Sequence, residues 1–124
     1  MRIFSFAKKF VSKVHSYQRV FKKDNPYCIE IKDIDDYYGR TIDNLLLIEK
    51  IKVIETKKGD KMAFVTGSDE TGSKEFIFFP KVYRNYEQLE KGLIIKTRGR
   101  VEKRLDETQI IVEKVKILQG ENNE

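Results

Sequence analysis

Residues 44–118 break into five short runs in which apolar and polar side chains alternate, with turn residues between them and one helical pattern after the third run. Alternation at period two marks strands with one face in a core and the other in solvent, and short strands at this spacing close into a small barrel or sandwich. The runs cover residues 45–55, 62–66, 73–79, 93–103 and 109–118. Turn chemistry separates them at Lys57-Lys58-Gly59-Asp60, at residues 67–72 and at Asp106-Glu107. Pro80 ends the third run and opens a helix expected over residues 81–91, with Val82, Tyr83, Tyr86 and Leu89 on one side and Gly92 closing it. In the fourth run Leu93, Ile95, Thr97, Gly99 and Val101 share one face, and Lys96, Arg98, Arg100 and Glu102 the other. Alternation slips near Glu49 and Lys50 in the first run and near Glu113 and Lys114 in the fifth. Such slips are what bulges at barrel corners produce. Gly99, mid-strand, asks for a bend or a close backbone approach.

Three strands, a helix and two strands is the order of an all-β, five-stranded OB-fold Greek-key barrel with a plug helix between strands three and four. Ahead of it, Ile3, Phe6, Ala7, Phe10, Val11, Val14, Tyr17 and Phe21 recur at three- and four-residue spacing with lysines between them. That spacing predicts an N-terminal amphipathic helix, stopped at Asp24-Asn25-Pro26, that packs its Phe face on a neighbouring surface. An acidic connector follows, in which Cys28, Ile29, Ile31 and Ile34 suggest a short strand or irregular cover, and Asp33, Asp35 and Asp36 a solvated loop. The expected divisions are therefore 1–43 for the basic helix and connector, 44–118 for the barrel and 119–124 for a polar tail.

At 124 residues the chain has room for one modest core. One cysteine and one histidine exclude an internal disulfide and a Cys/His zinc site, and no cofactor or metal is called for. The longest apolar run, residues 45–48, falls far short of a membrane span, and a cytoplasmic setting is expected. The net charge of +5 is unevenly spread. Residues 1–23 carry seven basic side chains and no acid, whereas residues 24–43 carry six acids and two bases. Any polyanion partner must therefore meet particular faces rather than the whole molecule.

The run Lys57-Lys58-Gly59-Asp60-Lys61-Met62-Ala63-Phe64-Val65-Thr66, then Asp69, Thr71-Gly72-Ser73, Ile77-Phe78-Phe79-Pro80-Lys81-Val82-Tyr83 and Arg98-Gly99-Arg100-Val101-Glu102, resembles one family closely. It is similar to the OB domain near the C-terminus of the bacterial replicative DNA polymerase III alpha subunit. The same superfamily includes the anticodon-binding domains of class II aminoacyl-tRNA synthetases, whose Phe-to-Asp spacing reappears as Phe64 and Asp69. The resemblance implies a noncatalytic module that holds single-stranded DNA for a polymerase whose active site lies elsewhere. Two-metal nucleotidyl transfer needs a palm domain that this pattern cannot contain. The N-terminal helix is then expected to be a neighbouring segment of a longer polymerase.

Single-strand binding needs cations along the phosphates and flat faces under the bases. Lys52 and the first turn, with Lys57, Lys58 and Lys61, supply the cations. By resemblance, Phe64 is the stacking platform on the outer face of strand two, with Thr66 beside it. The same alignment sets Glu75 and Ile77 toward the ligand. Arg98, Arg100, Lys103 and Arg104 are expected as a second rim. The alternative readings are a protein-interaction module docking replisome proteins or other polymerase domains, RNA or tRNA binding, and an OB-fold nuclease.

Overall fold

The computed structural model describes residues 20–119, and within them the elements are a 3-10 helix (Ile31–Tyr37), β1 (Thr41–Glu55), β2 (Lys61–Asp69), β3 (Gly72–Phe78), a helical turn α1 (Pro80–Tyr83), β4 (Ile94–Arg104) and β5 (Glu107–Gln119). The strands close into a barrel in the order β1-β2-β3-β5-β4. All neighbours are antiparallel except β3 and β5, which run parallel through Phe76 opposite Ile110 and Ile77 opposite Ile111.

Closure depends on β1 belonging to both sides of the barrel. Its first half, from Thr41 to Leu47, pairs with β4, and its second half pairs with β2. Between them the register shifts between Ile48 and Lys50, leaving Glu49 as an extra residue. That bulge bends the strand and reverses which residue numbers face inward. Ile42, Leu46 and Ile48 point into the core before it, and Ile51 packs against the core after it. The second corner lies where β4 and β5 shift between Arg98 and Gly99, leaving Glu113 unpaired. Both slips expected from the alternation are thus present.

The interior is filled from every strand, with Val65, Phe76, Phe78, Ile95, Val101, Ile110 and Val112 nearly inaccessible. The 3-10 helix adds Ile31 and Ile34 to the same cluster. It is tied down by polar contacts as well. The buried Asp69 carboxylate accepts from the Ile31 amide (2.9 Å) and, through its other oxygen, from the Thr71 amide (2.7 Å), Thr71 Oγ1 (2.5 Å) and the Gly72 amide (3.2 Å). Asp35 receives a hydrogen bond from Thr108 and an ion pair from Lys74 at 3.2 Å. These contacts hold its carboxyl below the usual range, so this support is present at neutral pH and fades as acid protonates the group.

Three expectations need correction. The helix after Pro80 is a single turn, Pro80–Tyr83, followed by successive hydrogen-bonded turns rather than a helix to residue 91. A short segment with Asn85 and two tyrosines has little helical drive of its own. Its apolar side survives nonetheless: Tyr83 and Leu89 are buried, and Phe78 meets Tyr83 and Tyr86 edge-on at 6.4 and 6.2 Å. Residues 67–69, expected in a turn, extend β2, because Gly67 lets Leu46 and Phe76 pack over the backbone. Finally, the connector over residues 27–40, expected as a short strand or irregular cover, holds no strand: Ile31–Tyr37 form a 3-10 helix that covers the core with Ile31 and Ile34. The amphipathic helix expected upstream lies outside the described residues except at its end, where residues 20–22 are helical. Among the described residues no helix is long and apolar enough to cross a membrane.

Gly99 and Gly67 differ in what a methyl group would strike. At Gly99 it would sit 2.5 Å from Ile110 Cγ2 and 2.7 Å from the Ile111 carbonyl oxygen, a backbone atom that cannot swing away. At Gly67 its nearest neighbour, at 2.5 Å, is Leu46 Cδ1, the end of a flexible side chain. Gly99→Ala is expected to destabilise the barrel by about 1–3 kcal/mol, and Gly67→Ala by clearly less. Equal shifts in thermal melting would contradict this. Asp69→Ala strands the Ile31 amide and should cost about 2 kcal/mol in urea unfolding; a change within error would show the Asp69 contacts to be dispensable.

Candidate nucleic-acid interface

The core assignments determine the outer face. Ala63 and Val65 are buried in the interior, so the intervening Phe64 points outward with Met62 and Thr66. On β3, Phe76 and Phe78 face inward, which turns Glu75 and Ile77 out. Strand register then assembles rows across the barrel wall. One row runs Lys52, Phe64, Ile77, Ile111, Arg100, each residue opposite the next. With strands spaced about 4.8 Å apart, it spans about 19 Å of curved surface. A half-buried aromatic ring and two isoleucines thus lie between two exposed cations.

The adjacent row is Lys50, Thr66, Glu75, Gln109, Glu102. Gln109 Nε2 donates to Glu75 Oε1 at 2.7 Å, joining β5 to β3, and Arg100 Nε pairs with Glu102. This row is rich in acceptors. Phosphates suit the first row, and the hydrogen-bonding edges of bases suit the second.

The other residues singled out from the sequence are dispersed. Lys57 and Lys58 are exposed in the tight turn after β1, which is closed by Thr56 and Asp60. Lys61 shares the parity of Ala63 and Val65, opposite to Phe64. It lines an open cleft of about 530 Å³ with Gly59, Asp60, Lys81, Arg84 and Glu87. Ile77 lies on the outer face but is only 3% exposed, so it supports Phe64 instead of offering surface. Arg98 is held by Asp43 through two hydrogen bonds of 2.8 and 3.3 Å, which keep its guanidinium above its ordinary value. Lys103 leaves the stripe and sits 5.4 Å from the Tyr38 ring centre. Arg104 is exposed where β4 ends. Of the expected second rim, Arg100 alone shares a row with Phe64.

Ile111, Gln109 and Lys50 belong to this face without having been singled out as site residues. Lys50 carries a readable signal, two residues before Lys52. Ile111 and Gln109 reach it through the parallel β3–β5 pairing, which joins segments more than thirty residues apart and leaves no local trace. Among the described residues no group of acidic, cysteine or histidine side chains could hold a metal ion.

Comparison with known proteins agrees with the barrel fold. The profile of the family described as OB-fold nucleic acid binding domain matches residues 48–118. DNA polymerase III subunit alpha of Bacillus subtilis (strain 168) is 41% identical over 75 residues, 60% of this chain and 7% of that protein. The protein of that name from Staphylococcus aureus (strain Mu50) is 32% identical over 113 residues, 90% of this chain and 9% of the relative. The chain therefore spans less than a tenth of the length of these relatives. Among solved structures, an OBody bound to hen egg-white lysozyme superposes with a TM-score of 0.61 at 14% identity, over 76% of this chain and 93% of that one. A mitochondrial single-stranded DNA binding protein from S. cerevisiae gives 0.54 at 8% identity, over 65% and 96%. At such identities the structural likeness speaks for the fold alone. The barrel topology and the match over residues 48–118 lead to one conclusion: this chain belongs to the OB-fold nucleic acid binding domain family.

Proposed function

We propose that the chain is a noncatalytic, single-stranded DNA-binding module of a DNA polymerase III alpha subunit, supporting replication in the cytoplasm. The observation that carries this reading is the row Lys52, Phe64, Ile77, Ile111, Arg100, in which an outward aromatic ring lies between two cations. A base stacks on Phe64, Lys52 and Arg100 meet the phosphates on either side, and Thr66 with Gln109 offers hydrogen bonds to base edges. Lys57 and Lys58 extend the positive potential beyond β1. The similarity to DNA polymerase III alpha subunits supports the polymerase context. In this reading the polymerase chemistry belongs to the remaining nine-tenths of such proteins.

A second reading, a protein-docking module for replisome proteins or other polymerase domains, is favoured by one feature. Glu75 and Glu102 flank the Phe64 row, and Glu102 neutralises Arg100. Salt separates the two readings. Fluorescence titration of labelled oligo-dT should weaken steeply between 50 and 200 mM salt, with a log–log slope of about −0.7 per phosphate contacted. Phe64→Ala should weaken binding by about 5- to 150-fold, the equivalent of about 1–3 kcal/mol of stacking, while the circular dichroism spectrum stays native. Absence of binding at low salt would remove the DNA reading, and a protein pull-down that resists high salt and oligonucleotide competition would favour docking.

A further inference from the structure

Past the Phe64 row the β4–β5 hairpin continues with an uncommon charge pattern. Arg98 stands opposite Lys114 and Lys96 opposite Lys116, so two neighbouring rungs set cation against cation. All four are on the outer face, because the intervening Thr97 is buried and its partner Val115 packs against the core. Like charges directly opposite one another on one face of an antiparallel pair destabilise it. The sheet therefore carries this arrangement at a cost, and bound negative charge would relieve it.

The four cations line one open cleft of about 260 Å³ at the Glu113 bulge, together with Asp43, Thr97 and Val115. Side-chain partners among the described residues engage only two of them. Arg98 is paired with Asp43, and Lys96 Nζ donates to Asn25 Oδ1 at 3.0 Å. Glu113 adds a second nearby carboxylate, felt by Arg98. Lys114 and Lys116 are exposed and make no side-chain hydrogen bond or ion pair with any described residue. The cleft also continues the first row. Arg100, Arg98 and Lys96 are successive outward residues of β4, about 7 Å apart, so cations follow one another without a break.

We infer that the Lys96, Arg98, Lys114 and Lys116 cleft is a second phosphate-binding site, which takes the sugar–phosphate backbone of a single strand as it leaves the Phe64 row along β4 and β5. The strand path rests on the function proposed above; the phosphate site rests on the paired cations themselves. Occupancy there is electrostatic and indifferent to base identity.

The test compares oligo-dT of four and of twelve nucleotides on the full chain. Lys114→Gln with Lys116→Gln should leave affinity for the four-nucleotide strand within twofold. It should weaken the twelve-nucleotide strand at least tenfold at low salt and reduce its salt slope by about 1.4, two lost phosphate contacts. The melting temperature should hold or rise, since the opposed charges are relieved. Equal effects on both lengths, or none on the longer, would overturn the path. Failure of the unaltered chain to bind either strand would instead count against the Phe64 row, and inorganic tripolyphosphate judges the cleft independently. Amide shifts confined to residues 96–98 and 114–116 support a phosphate site, and their absence at millimolar tripolyphosphate rules it out.

Discussion

The bulge at Glu49 is the constraint on which the rest of the molecule depends. One strand must pair with β4 over its first half and with β2 over its second, and a regular strand cannot turn that sharply while keeping one face inward. The extra residue supplies the bend and also resets parity. Ile48 and Ile51 both serve the core, three positions apart, and Lys50 and Lys52 are thereby placed outward beside Thr66 and Phe64. Without the bulge the lysines would be driven inward and Ile51 outward. The same residue therefore closes the barrel and supplies the cations of the candidate face.

The second corner works by close approach. Gly99 allows β4 to lie against Ile110 and Ile111 of β5 with no side chain between, and the unpaired Glu113 absorbs the length difference. Around this corner the outer surface changes character. On one side lie the half-buried Phe64 and its isoleucine neighbours, and on the other the opposed cations of the hairpin. Acidic side chains are distributed against them with some specificity: Asp43 takes Arg98, Glu102 takes Arg100, and Asp35 takes Lys74. Among the described residues these pairs cover particular cations and leave others, such as Lys114 and Lys116, exposed.

Most of the barrel was legible locally. Alternation located all five strands, the slips near Glu49 and Glu113 located both corners, and the two faces of β4 were readable from Ile95, Thr97 and Val101 against Lys96, Arg98 and Arg100. The helix after Pro80 was overextended because an apolar stripe at helical spacing is also met by consecutive turns that keep Tyr83, Tyr86 and Leu89 on one side. The contribution of Ile31 and Ile34 to the core was harder to see, since their partners lie in strands distant in sequence and Asp69 anchors Ile31 from the end of β2. Within the candidate site, the family resemblance set Phe64 on the outer face and the β1–β2 register placed Lys52 opposite it, whereas Lys61 and Lys103, equally basic and close in sequence to it or to Arg100, belong to other surfaces.

The sequence by itself determined the five strands, their order and the two faces of β4, because alternation and turn chemistry act over a few residues and are written in adjacent side chains. Tertiary structure alone decided which outward side chains become neighbours. That choice is made by the register of pairings such as β3 with β5 and β4 with β5, which is fixed by barrel closure and by the depth of core packing. It brings Ile111 and Arg100 into line with Phe64, and it sets Lys96 and Arg98 against Lys116 and Lys114, contacts for which no stretch of the chain carries a local signal.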